Sequence, residues 1–269
     1  MTTLTARYGP VALVTGAAQG IGEALAHELA EAGFRLVLVD RQDERLHAVA
    51  ASLGMPPKLL VEDLADPGAV DRITTAVQGL EIGLVAHVAA VAPFGALLDA
   101  DPTALAASVD VNCRVPLLLT RALAPAMCRR GRGGVMLFSS LAAWQGAPRL
   151  AAYTASRAYT LNLAQSLWSE LRPHGVDVLG VCPGATRTPG FDSLQPDEGA
   201  LRLVPTATAE AVAREALARL RHGPVWVVGR RNRAVHAVLT RLLSRRLSNQ
   251  VIAGHLERLY GGRVGGRGR

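Results

Sequence analysis

The 269-residue chain has little cysteine, little lysine and few aromatic side chains: three Cys, one Lys and 4% Phe, Trp and Tyr. Cys113, Cys128 and Cys182 form no CxxC pair and have no ligand-like spacing with the seven scattered histidines. A disulfide framework and structural zinc are thereby excluded, and no metal is expected. No uncharged apolar run reaches the roughly 18 residues that a membrane span needs. The opening stretch, Met1 to Pro10, lacks the apolar centre of a signal peptide, so the expected compartment is the cytoplasm. Charged residues make up 19% and apolar residues 49%, which excludes a disordered chain or a coiled coil and leaves enough apolar material for a real core.

Acidic side chains are missing from one end. Of the 29 basic residues 28 are Arg, with Lys58 the exception. Residues 1–229 carry 19 basic and 21 acidic side chains, whereas residues 230–269 carry ten Arg and only Glu257. A slightly acidic body therefore bears a strongly basic appendage, and the net charge of +7 describes the appendage rather than the whole surface.

What the chain does have is alternation. Short apolar runs at Val11–Thr15, Arg35–Asp40, Leu59–Val61, Leu84–Val88, Val135–Ser139, Val176–Cys182 and Val225–Val228 read as strands. Helical patterns separate them at Gly20–Ala32, up to Leu53, and around 67–79, 102–130, 150–173 and 208–221. Unbroken apolar strands need cover on both faces, which predicts an α/β fold: one domain over 1–229 with a doubly wound parallel sheet of about seven strands. After Gly229 the alternation stops. Val235, Val238, Leu239, Leu242 and Leu243 keep helical spacing between Arg231 and Leu247, and a second helix is expected over Gln250–Tyr260. Residues 230–260 thus read as a basic amphipathic extension, and the Gly/Arg stretch 261–269 as a disordered tail.

The first strand runs into Thr15-Gly-Ala-Ala-Gln-Gly-Ile-Gly22, which opens the first helix. Glycines there permit a tight turn and close approach of backbone to a pyrophosphate, and the helix start supplies free N–H donors. Gly16, Gln19, Gly20, Ile21 and Gly22 are the candidate phosphate-binding residues. Asp40 ends the second strand, where a carboxylate accepts hydrogen bonds from an adenosine ribose and repels a 2′-phosphate; Arg41 beside it could pair with that phosphate. The pairing favours NAD over NADP. Asp63 and Leu64 follow the third strand, at the level of an adenine ring; an Asp there is also a common helix cap.

Tyr153 and Arg157 lie four apart at the start of a long helix, and Ser140 ends the preceding strand 13 residues before Tyr153. With the glycine loop, Tyr153-Thr-Ala-Ser-Arg157 resembles the Tyr-x-x-x-Lys signature of the short-chain dehydrogenase/reductase family, over about residues 8–229. Thr15–Gly22 is similar to that family's TGxxxGxG loop, Asn112 to its helical active-site Asn, Ser140 and Tyr153 to its catalytic pair, and Pro183-Gly184 with Thr186 and Thr188 to the stretch that holds the nicotinamide carboxamide. The resemblance implies a Rossmann-type fold, a catalytic set of Ser140, Tyr153, Arg157 and Asn112, an NAD or NADP cofactor also contacted by Ala89, and a homodimer or homotetramer.

Two positions depart from the family pattern. His87-Val-Ala-Ala90 stands where the family has Asn-Asn-Ala-Gly, and His87 is expected to be structural. Arg157 stands where the family has Lys. A phenol with a pKa of about 10 must fall by about 3 pKa units, or about 4 kcal/mol, to act as a base at neutral pH. A cation about 4 Å away supplies roughly that much at an effective dielectric near 20. Arg157 can therefore keep the electrostatic role, but a guanidinium does not deprotonate and cannot join a proton relay.

By that resemblance the substrate lies among Ala92-Pro-Phe94, Leu141, Trp144, Pro148, Phe191 and Leu194, under a lid at Pro189–Pro205. This apolar lining implies a hydrophobic ketone or secondary alcohol, with Arg149, Arg187 and Arg202 available for an acidic group. Three functions stay open on the residues alone: the oxidoreductase, a nucleotide-binding scaffold without redox turnover, and a protein held at anionic membranes by its basic extension. The extension is expected to pack on the body or on a partner subunit, and no nucleic-acid partner is expected.

Overall fold

The computed structural model describes residues 3–201, 204 and 206–260. The tail expected at 261–269, and Arg202 and Pro205 of the expected lid, lie outside the described residues. Seven strands form one parallel sheet: β1 (Val11–Thr15), β2 (Arg35–Asp40), β3 (Lys58–Val61), β4 (Ile82–His87), β5 (Gly133–Phe138), β6 (Val176–Cys182) and, after two short strands, β9 (Val225–Val227). Their order is β3-β2-β1-β4-β5-β6-β9. The short strands β7 (Ala185–Arg187) and β8 (Thr206–Thr208) pair with each other outside this sheet.

Alternating burial explains the double cover. Ala12 and Val14 of β1 join the apolar core on one face, with α2 (Gly20–Glu31) and α10 (Ala209–Arg219), while Val11 and Leu13 join the core on the other. β6 divides in the same way, Leu179 and Val181 against Val176 and Val178. A short α1 (Leu4–Tyr8) precedes the sheet; α3 (Asp43–Ser52), α4 (Ala69–Ala76), α5 (Pro102–Val109), α6 (Val115–Arg130) and α7 (Ala151–Leu171) complete the layers. Strand order reverses between β1 and β4, so a crevice opens beyond the carboxyl ends of these strands, where sheets of this kind bind ligands.

The helical stretch expected over 102–130 is interrupted. A π-helical turn at Asp110–Arg114 separates α5 from α6 and carries Asn112, whose amide reaches across to the backbone of Val91. Such turns insert one residue into a helix and often mark functional positions.

The extension also differs from its expected outline. α11 (Arg230–Ala237) passes into a π-helical turn, Val238–Leu242, and breaks at Leu243 before α12 (Arg245–Tyr260). The break comes earlier than the apolar spacing suggested because Ser244 starts the new helix, its Oγ accepting from the Leu247 N–H, while the Ser248 hydroxyl donates back to the Leu239 carbonyl. Two short helices, α8 (Pro189–Asp192) and α9 (Glu198–Leu201), occupy the expected lid. Among the described residues no helix is long and apolar enough to cross a membrane.

Candidate active site

The glycine loop is shaped by backbone proximity. Gly16 and Gly20 have positive φ, +70° and +60°. A Cβ on Gly16 would lie 2.7 Å from the Ala89 backbone, and one on Gly22 would lie 1.9 Å from the Gly16 carbonyl oxygen. Thr15 locks this seam: its Oγ1 accepts from the Val88 and Ala89 N–H groups at 3.2 and 3.3 Å. It thus takes over backbone groups beside Val88, where an Asn is absent. Gln19 precedes α2 in extended geometry without capping it, because its side-chain oxygen accepts from Arg45 instead. The first N–H groups of α2 therefore face the crevice without a side-chain cap, which suits an anion.

Asp40 is buried, and backbone fixes its carboxylate: Oδ2 accepts from the Ala18 N–H at 3.1 Å and Oδ1 from the Gln42 N–H at 3.0 Å. Arg41 is exposed, 3.9 Å from Asp63. Asp63 accepts from the Ala65 N–H, which fixes the turn carrying buried Leu64.

These residues open into a chamber of about 760 Å³. Every expected cofactor residue lines it: Gly16, Gln19, Gly20, Ile21, Gly22, Asp40, Arg41, Asp63, Leu64, Ala89, Tyr153, Arg157, Pro183, Gly184, Thr186 and Thr188. Ser140 lines it as well. Asn112 does not; its side chain is spent on Val91, Oδ1 accepting at 2.9 Å and Nδ2 donating at 2.7 Å, and on the Ser156 hydroxyl at 3.0 Å. Ser156 in turn donates to the Tyr153 carbonyl. Asn112 therefore ties the strand-end segment at Val91 to the helical turn that carries Tyr153, a positioning link that the motif spacing gave no means of seeing.

Arg157 is buried on α7. Its Nη1 donates to the Phe138 carbonyl at 2.7 Å, and its own carbonyl accepts from Ser139. Nε and Nη2 have no partner although buried, and burial pushes the guanidinium pKa down. Buried donors left unmade are costly, and these two lie beneath the wall of the chamber that Arg157 lines. Arg157 Cζ lies 5.1 Å from the centre of the Tyr153 ring, within cation–π range. Ser140 Oγ accepts from the Ala142 N–H at 3.1 Å, which leaves its O–H free to donate. Thr186 and Thr188 serve their own loop, donating to the Gly184 carbonyl and accepting from the Phe191 N–H.

His87 is fully buried. Nε2 meets Thr120 Oγ1 at 2.9 Å, Nδ1 has no partner, and desolvation holds the pKa down at about 3. It stands as a neutral side chain between β4 and α6, outside the chamber lining.

The substrate end differs from the expected lining in two respects. Ala92, Leu141, Phe191 and Leu194 do line the chamber, but Pro93 and Pro148 do not, and Phe94 and Trp144 stand behind it as fasteners for the extension: Phe94 packs on Tyr260 with ring centres 4.9 Å apart, and Trp144 on His236 at 4.1 Å. Val235, Leu239, Ile252, Leu256, Leu259 and Tyr260 supply the roof, with His236 and His255 as its polar side chains. Asn232 sits against Gly184, and the Asp197 N–H donates to the Leu259 carbonyl, so the extension touches the loops after β4, β5 and β6. Two of the three arginines expected to serve an acidic substrate group, Arg149 and Arg187, are placed elsewhere, and Arg202 lies outside the described residues. Arg187 pairs with Asp192 and Glu198 at 3.0 and 2.7 Å, and Arg149 does not reach the chamber. The missed roof had one signal in the sequence, the apolar face of the extension, but nothing there said what the face would cover.

A switch-point crevice with an uncapped helix start, a backbone-held carboxylate and a Ser, Tyr and Arg cluster defines a dinucleotide-dependent oxidoreductase site. Residues 10–199 match the short chain dehydrogenase family, and the chain belongs to it. It is 36% identical over 185 residues to the very-long-chain 3-oxoacyl-CoA reductase of Podospora anserina, covering 64% of this chain and 53% of that protein. It is 28% identical over 240 residues to the 7beta-hydroxysteroid dehydrogenase of Collinsella aerofaciens, covering 87% of this chain and 91% of that protein. A solved structure from work on 7beta-hydroxysteroid dehydrogenase stereoselectivity overlays with a TM-score of 0.87 at 26% identity, covering 93% of this chain and 99% of the other. That overlay is longer than residues 1–229, so part of the extension has a counterpart there.

Proposed function

We propose that this oxidoreductase interconverts a ketone and a secondary alcohol on a bulky, mostly apolar small molecule, using a nicotinamide dinucleotide with NAD preferred. One observation carries the reading: Ser140, Tyr153 and Arg157 line the same chamber as the glycine loop. The bound nicotinamide would supply or accept the hydride. In the reducing direction Ser140 donates a hydrogen bond to the substrate oxygen, and Tyr153 gives that oxygen its phenolic proton. Arg157 would help to hold the nicotinamide ribose and, 5.1 Å from the Tyr153 ring, would stabilise the phenolate left there, but passes no proton itself. Asn112 acts by positioning, through Ser156 and Val91.

The preference for NAD rests on Asp40, whose two backbone hydrogen bonds keep the carboxylate from turning away from a 2′-phosphate. The bulk of the substrate rests on the apolar roof and floor, and relatives named for hydroxysteroid and very-long-chain oxoacyl substrates support it. Exposed Val109, Leu117, Leu118 and Tyr159 on α5, α6 and α7 support a homodimer or homotetramer joined through these helices.

The test is nucleotide titration followed by turnover of a panel of bulky apolar ketones with NADH and NADPH. Tyr153→Phe should lower turnover by about 10²- to 10⁴-fold and leave nucleotide affinity unchanged. Nucleotide binding without turnover, with turnover gained in Arg157→Lys, would replace this reading with a scaffold that has lost redox chemistry. Absence of nucleotide binding would end both readings.

A further inference from the structure

The extension has two faces. The inner one roofs the chamber, and the outer one combines apolar and cationic side chains in solvent. Val235, Val238, Leu242, Leu247 and Val251 are all exposed, Leu242 by 75%. Around them Arg230, Arg231, Arg241, Arg245 and Arg246 are exposed and have no ion pair among the described residues. No acidic residue occurs between Arg230 and Leu256. Val235 belongs to both faces, being 41% exposed and in the chamber wall.

We propose that this outer face docks on an anionic lipid bilayer and sets the chamber at the lipid surface. A basic amphipathic segment with apolar side chains between arginines buries those side chains at the headgroup boundary while the guanidinium groups meet lipid phosphates. Charge complementarity selects this occupant. A second copy of the chain, related by a two-fold axis, would place the same unpaired arginines against each other. Single-stranded nucleic acid needs aromatic platforms, and the only Phe, Trp or Tyr in the extension is Tyr260, which is buried. The docking itself needs no catalytic assumption. Its consequence, that an apolar ketone or alcohol enters from lipid, rests on the reading of the chamber proposed above.

The experiment is flotation of the full chain, without nucleotide or substrate, with phosphatidylcholine vesicles that contain or lack phosphatidylglycerol. Binding should require phosphatidylglycerol and weaken as salt is raised. Arg241→Gln with Arg245→Gln and Arg246→Gln should weaken partitioning about a hundredfold, at about fivefold per arginine. Leu242→Asp with Val251→Asp should also release the protein, and both variants should keep the parent's circular dichroism and its nucleotide affinity. Several results would overturn the docking: no flotation, equal binding to neutral vesicles, or an aspartate variant that still floats, which would mean purely electrostatic capture through the Arg263, Arg267 and Arg269 stretch. A native mass that doubles in the parent and halves in the variants, without flotation, would assign the face to a second copy; binding to a poly(U) RNA without flotation would assign it to nucleic acid. Flotation with no turnover of any ketone would leave the docking standing and end the proposed activity, and the reverse result would do the opposite.

Discussion

The two ends of the chamber are built in different ways. At the dinucleotide end the surface is largely backbone: Gly16 packs against the Ala89 backbone and Gly22 against that of Gly16 at distances that exclude a side chain, and Asp40 is held by two N–H groups. At the substrate end the surface is side chain, contributed by segments far apart in sequence and closed by α11 and α12. A backbone surface tolerates almost no substitution, whereas a side-chain surface changes its shape one residue at a time. The difference separates what the site does from what it accepts.

The largest expected effect breaks the dinucleotide end. Gly22→Ala puts a methyl group 1.9 Å from the Gly16 oxygen, so the loop must move. We expect a loss of about 3 kcal/mol in urea denaturation and nucleotide affinity too weak to titrate; parental affinity would show that the loop does not hold the cofactor.

A middling effect lies in the sheet beneath both ends, at buried His87 of β4. His87 titrates near 6.5 when unfolded and near 3 when folded, because burial disfavours its charged form. Between those values the unfolded chain holds a proton that the folded chain does not. Stability therefore falls as pH drops through 6.5 and the loss is complete near pH 3. His87→Asn should reduce the stability lost between pH 7 and pH 5 by about 2 kcal/mol, read from denaturation midpoints at both values. An unchanged pH slope would show that some other group controls acid sensitivity.

The smallest effect sharpens the substrate end. Tyr260→Ala removes the contact with Phe94 and part of the roof. KM for a bulky ketone should rise about tenfold, the worth of one aromatic pair, while nucleotide affinity stays constant. Parallel weakening of nucleotide would mean that the two ends are not independent.

The same contrast explains what could be read from the chain. The sheet was legible because buried strands such as Val11–Thr15 are continuous apolar runs between helical periods. The glycine loop and Tyr153 with Arg157 were legible because each lies within a few residues on one element. The π-helical turn at Asn112 was not, since its cause is a hydrogen-bonded partner, Val91, on another segment. The commitment of Arg187 to Asp192 and Glu198 was hidden for the same reason, and so was the roof. An amphipathic helix announces that it covers something, and only the packing of Tyr260 on Phe94 and His236 on Trp144 says what.

Because the roof is one contiguous stretch at the end of the described chain, it is a replaceable cassette. Exchanging residues 230–260 for the corresponding segment of a relative would trade the acceptance rules of the enzyme while leaving the glycine loop, Ser140, Tyr153 and Arg157 untouched. Such an exchange would reshape the roof alone, while Leu141, Phe191 and Leu194, from other segments, would keep their share of the wall.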